Sequence, residues 1–205
     1  MRELINDPFY KYIKTYKRCI IDYCLIEDDI LHQGYRSHKD AILFAMCKVI
    51  ERYIDYQLKA EIDFNKDRPE DIDEEPFPWS MDMGKAKAAP INPGSFLEAP
   101  DIIEKAHKGK PQYDCKMHGA RNDEQIPYWY AFLAAPHKTG YGKDDFVKIN
   151  NILFPNGAES LEVYAWSTDW SNYFADGHEW WGAACWSVYD KSLHRYVVIM
   201  ASTTD

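Results

Sequence analysis

Residues 180–189 and 195–202 are apolar at almost every position, and the polar link Asp190-Lys191-Ser192-Leu193-His194 between them makes them read as the two strands of a hairpin. Parity leaves neither strand a polar side. Trp180, Gly182, Ala184, Trp186 and Val188 share one face of the first and Trp181, Ala183, Cys185, Ser187 and Tyr189 the other, while Val197, Ile199 and Ala201 oppose Tyr196, Val198 and Met200 in the second. A strand that is apolar on both faces is covered on both, by helices or by a second subunit. The chain must therefore provide two layers for one sheet, or associate with a copy of itself, so a homo-oligomer is compatible with the pattern.

Helical periods lie mostly upstream. Phe9, Ile13, Tyr16, Ile20 and Tyr23 recur at three and four residues behind an Asp7-Pro8 start, which predicts a first helix. Ser37 as N-cap, with Asp40 three residues on and a stripe of Leu43, Met46, Ile50, Tyr53, Ile54 and Leu58, predicts a second. Gln33-Gly34 separates them. Farther on, Tyr128, Trp129, Tyr130, Phe132 and Leu133 are strong sheet residues, residues 144–154 carry Phe146, Ile149 and Leu153 on one helical face, and residues 161–167 read as a strand. The expected fold is α+β: an N-terminal helical pair packed with a mostly antiparallel sheet of about four strands in the C-terminal half. The 205 residues suit a single domain, with a helical part at 1–62, an irregular acidic and proline-rich wrap at 63–110, and a sheet part at 111–205.

Charge narrows the function. The formal net charge is −9, concentrated at −7 in residues 61–84 and −5 in residues 151–205. Nucleic acid wants a basic face, so it is excluded as a partner, and a cationic protein or ligand is favoured. No apolar run approaches the roughly 20 residues of a membrane span, and the charged, tyrosine-rich N-terminus has no signal-peptide core, so no membrane association is expected. Five cysteines without framework spacing suit thiols in a cytoplasmic protein.

Several stretches come close to a chemical motif and stop short. Asp63, Asn65, Asp67, Asp71 and Glu74 have the spacing of a calcium loop, but Arg68 stands where its turn needs glycine, so a solvated acidic linker is expected. Cys115 and His118, with His107 nearby, make half of a zinc set and no second pair follows. Gly140-Tyr141-Gly142 opens a helix whose Asp144 and Asp145 would repel an anion. No metal and no cofactor are expected from these.

The densest chemistry lies between Ser167 and Trp186, which hold four of the seven tryptophans. Asp169, Asp176, His178 and Glu179 crowd among aromatics there, and carboxylates beside a histidine in a partly apolar setting are the material of general acid–base work, so these four are the candidate catalytic residues. Trp170, Tyr173 and Phe174 break the alternation of the flanking strands. Some of them are therefore expected to face outward, and with Asp176 and Trp181 they form the candidate binding surface. The function these features favour is a non-catalytic acidic protein-interaction module of the immunity or inhibitor kind. A small hydrolase-like enzyme built on the His178 loop is the alternative, and a glycan or small-ligand binder using indole faces the third.

Overall fold

The computed structural model describes residues 1–28, 31–66, 79–99, 126–135, 140–179 and 182–203. Among these residues, six strands form one antiparallel sheet in the order β1-β2-β6-β5-β4-β3, comprising β1 (Arg2–Glu3), β2 (Ile21–Glu27), β3 (Ala88–Ile91), β4 (Leu161–Trp166), β5 (Ala183–Asp190) and β6 (Arg195–Ser202). The helices are α1 (Pro8–Ile13), α2 (Tyr35–Phe64), α3 (Pro93–Leu97), α4 (Tyr128–Leu133), α5 (Lys143–Leu153) and α6 (Ala175–Glu179). The fold is α+β, and its details depart from the expectation of four strands and a helical pair.

The hairpin strands behave as their parity requires. Ala184, Trp186, Val188, Val197, Ile199 and Ala201 pack into a core with Phe9 of α1, Phe96 of α3, Tyr128 of α4, and Phe146, Ile149 and Leu153 of α5. Ala183, Cys185, Tyr189, Tyr196, Val198 and Met200 face a second core with Ala41, Ile42, Ala45, Met46 and Val49 of α2. Ala41 and Ala45 on the buried face of α2 leave little side chain between helix and sheet, and the buried positions end at Val49.

The helical pair expected at 1–62 is corrected. Asp7 caps α1 as predicted, accepting from the Phe9 amide at 2.9 Å, but α1 stops at Ile13. Residues 21–27 form β2, which pairs with β6 from Ile21↔Ala201 to Glu27↔Arg195. Tyr23 and Leu25 on one face and Cys24 and Ile26 on the other satisfy two cores at once, and that gain overrides a helical period carried mainly by Tyr16, Ile20 and Tyr23. Helix α2 starts at Tyr35 after Gly34, which takes the left-handed φ of 57°, and the Ser37 hydroxyl accepts the Gln33 amide at 2.9 Å instead of capping.

Residues 128–133 are helix rather than strand. Pro127 opens α4, and sheet propensity gives way to packing: Tyr128 stacks on Phe96 with ring centroids 4.8 Å apart, and its hydroxyl meets that of Tyr23 at 3.0 Å. The expected helix at 144–154 and strand at 161–167 are present as α5 and β4. Among the described residues of the 63–110 stretch, expected to be irregular, α2 runs to Phe64 and β3 and α3 are present. The calcium-like positions Asp67, Asp71 and Glu74, the set Cys115, His118 and His107, and Trp181 lie outside the described residues. No helix among the described residues is long and apolar enough to cross a membrane.

Candidate functional site

The loop after β4 is a strut of the fold. Trp170, Tyr173 and Phe174 are buried at 1%, 8% and 0% exposure, which corrects the expectation that some of them face outward. Their irregular spacing follows from a 3-10 turn at Asn172–Phe174 running into α6, where strand alternation does not apply. The backbone is tied to the strap ahead of β3: the Asp82 amide donates to the Trp170 carbonyl at 2.7 Å, and the Ser167 amide to the Lys87 carbonyl at 2.7 Å. The Tyr173 hydroxyl donates to Asp22 Oδ2 at 2.7 Å. Asp169, Asp176 and His178 are exposed, and His178 Nε2 bonds the Thr168 hydroxyl at 2.6 Å. Glu179 closes α6, and its side chain lies outside the described residues.

Polar chemistry gathers instead at the hairpin end of the α2-facing side. Register places Glu162 of β4 beside Tyr189 of β5, and Tyr189 beside Tyr196 of β6, so the three form a row across the sheet. One step along, Ser187 sits between Tyr164 and Val198. Two histidines come down on these rows, one ahead of α2 and one in its second turn. His32 lies flat on Tyr189, with ring centroids 3.9 Å apart and planes at 5°. His38 reaches Ser187, its Nδ1 2.8 Å from the hydroxyl oxygen, which also accepts from Trp166 Nε1 at 2.7 Å. Gly34 turns the chain between the two histidines, and a Cβ there would stand 3.9 Å from Glu162 Oε1, so the turn passes the carboxylate at contact distance.

The imidazoles are held alike. Each Nδ1 meets a hydroxyl, His32 that of Tyr196 at 2.6 Å and His38 that of Ser187. Each Nε2 faces one oxygen of the same carboxylate, His32 at 3.3 Å from Oε2 and His38 at 3.4 Å from Oε1. The His38 side chain is fully buried and its Nε2 makes no hydrogen bond, whereas His32 and Glu162 keep 17% and 28% of their surface and open the cluster to solvent. Burial, reinforced by His32, pushes the His38 pKa down to about 3, so this ring is neutral at neutral pH. Burial also pushes the Tyr196 phenol up to about 12 and Tyr189 upward, so both keep their protons. The result is two imidazole nitrogens and one carboxylate converging on a half-buried point.

None of these three residues was singled out from the sequence. His32 and His38 fall in a stretch that reads as a break and a helix cap, and Glu162 comes 130 residues after His32. The available signals were a histidine on the buried face of a helix and a glutamate in register with Tyr164 and Trp166 on one face of a strand. No protein-family model, no curated protein and no solved structure matches the chain.

Proposed function

We propose that the chain is a small enzyme whose chemistry takes place at His32, His38 and Glu162. The observation that supports this most is His38: fully buried, positioned through Nδ1, and left with an Nε2 that stands 3.4 Å from the Glu162 carboxylate and makes no hydrogen bond. Such an atom costs on the order of 1–3 kcal/mol, and leucine would fill the same space without that cost. Groups that burden a fold in this way concentrate where chemistry is done. The hydrolase-like alternative therefore moves from Asp169, Asp176, His178 and Glu179 to this cluster. The interaction-module reading loses Trp170, Tyr173 and Phe174 as outward anchors, and net charge is what supports it.

Replacing the cluster tests the proposal. In chelator-treated protein, His38→Leu and Glu162→Gln are expected to melt at or above the wild-type temperature, because the first removes a buried nitrogen without a hydrogen bond and the second keeps the shape of a half-exposed side chain without its charge. Wild-type turnover of activated ester, phosphoester or amide probes, lost in Glu162→Gln and kept in His178→Ala, is the accompanying outcome. A His38→Leu variant destabilised by several kcal/mol would assign the cluster to the fold and end the proposal.

A further inference from the structure

We infer that the cluster holds one divalent metal ion of the zinc class, ligated by His32 Nε2, His38 Nε2 and the Glu162 carboxylate, with the remaining coordination left to water or substrate. The inference rests on the reading of this cluster as the active site and supplies its cofactor.

Geometry carries it first. The three ligand atoms lie within 4.8 Å of one another, and the two nitrogen–oxygen edges measure 3.3 and 3.4 Å. The two approaches end on different oxygens of the Glu162 carboxylate, His32 on Oε2 and His38 on Oε1. Zn–N bonds of about 2.0–2.1 Å and Zn–O bonds of about 2.0–2.2 Å at tetrahedral angles set ligand atoms roughly 3.3–3.5 Å apart, so an ion fits once the three groups draw in around it. His32 Nε2 is within hydrogen-bonding distance of Oε2 at 3.3 Å, whereas His38 Nε2, 3.4 Å from Oε1, makes no hydrogen bond and is left to take a different partner.

The surroundings agree with a ligand's needs. A metal-bound histidine donates its other ring N–H to an outer partner, which fixes the tautomer and the ring plane. Both rings have such a partner in a hydroxyl, Tyr196 for His32 and Ser187 for His38. The Ser187 oxygen has two lone pairs, enough for Trp166 Nε1–H and His38 Nδ1–H together. Two imidazoles and a carboxylate suit zinc, cobalt or ferrous iron over calcium or magnesium, which prefer all-oxygen shells. Three protein ligands with an open position are the pattern of catalytic rather than structural zinc.

The test uses the full chain, stripped of metal by dialysis against a chelator, and titrates it calorimetrically with Zn²⁺. One ion per chain is expected, with a dissociation constant on the order of micromolar or tighter, together with a higher melting temperature in zinc and a tetrahedral visible spectrum with Co²⁺. His32→Ala and Glu162→Ala, at positions that keep solvent contact, should each weaken binding by at least about 100-fold. Ser187→Ala, acting through the orientation of His38, should weaken it by about 10–100-fold, and His178→Ala should leave it unchanged. A wild type that takes up no stoichiometric zinc overturns the inference, as does binding that survives both His32→Ala and Glu162→Ala. If zinc fails to bind while His38→Leu and Glu162→Gln are as stable as the wild type, the metal is removed and the active-site reading stands. If those two variants unfold under conditions in which the metal-free wild type stays folded, the active-site reading falls.

Discussion

Where β5 begins, the α2-facing side of the sheet holds the half-buried Asp22 carboxylate on the Tyr173 hydroxyl, with Trp170 and Phe174 edge to face at 5.3 Å in the core that also contains Met200 and Cys185. At the hairpin end of the same side, it buries His38 beside Glu162. Burial raises the Asp22 pKa, while the Tyr173 hydrogen bond and the Arg52 charge oppose the rise, so the carboxylate's demands are met by the protein. Nε2 of His38 faces the Glu162 carboxylate at 3.4 Å and makes no hydrogen bond. Trp170 Nε1 is unpartnered too, but it is a single donor on an indole whose burial outweighs it. Both ends contain buried polar groups; what separates them is whether those groups complete the fold or leave binding capacity over.

The largest effect expected from this contrast is at Trp170. Trp170→Ala empties the centre of the first end and should cost about 3–5 kcal/mol in a urea melt. A loss below about 1 kcal/mol would return the loop to the surface and undo the comparison.

Acid should sharpen the contrast next. The folded chain holds His38 down near pKa about 3, while the unfolded chain protonates it near the ordinary 6.5. The unfolded state thus binds the extra proton between these values, so the stability due to neutral His38 is complete above about pH 6.5 and is lost as pH falls toward about 3. Denaturant melts from about pH 7 to about pH 4 should fall less steeply in His38→Leu than in the wild type; equal slopes would show that His38 does not titrate with the fold.

The smallest effect is expected at the exposed rim of the loop. His178→Ala and Asp176→Asn should each change stability by no more than about 0.5 kcal/mol. A larger loss in calorimetric melts would mean that the rim, as well as the buried aromatics, braces the first end.

What could be read from residues alone follows from how local each determinant is. The two-sided hairpin was legible because parity is a local property, and Val197 and Val198 report opposite cores without knowledge of what covers them. Helix α5 was legible from its Phe146, Ile149 and Leu153 stripe for the same reason. Strand β2 was not, because its identity is decided by a partner at the far end of the chain. The aromatic loop misled since tryptophan looks alike as anchor and as core. The site stayed hidden because its ligand candidates are single residues on three separate elements, and only the register of Glu162, Tyr189 and Tyr196 brings them into one place.

The pairing of β2 with β6 also sets a timetable for synthesis. Residues 21–27 are made early, yet one side of that strand has no partner until residues 195–202 leave the ribosome. At about 5–20 residues per second that interval is on the order of ten to thirty seconds. Throughout it, Tyr23, Leu25 and Ile26 belong to a chain whose central sheet cannot close, and any collapsed intermediate must keep that backbone edge from other strands until the last one arrives.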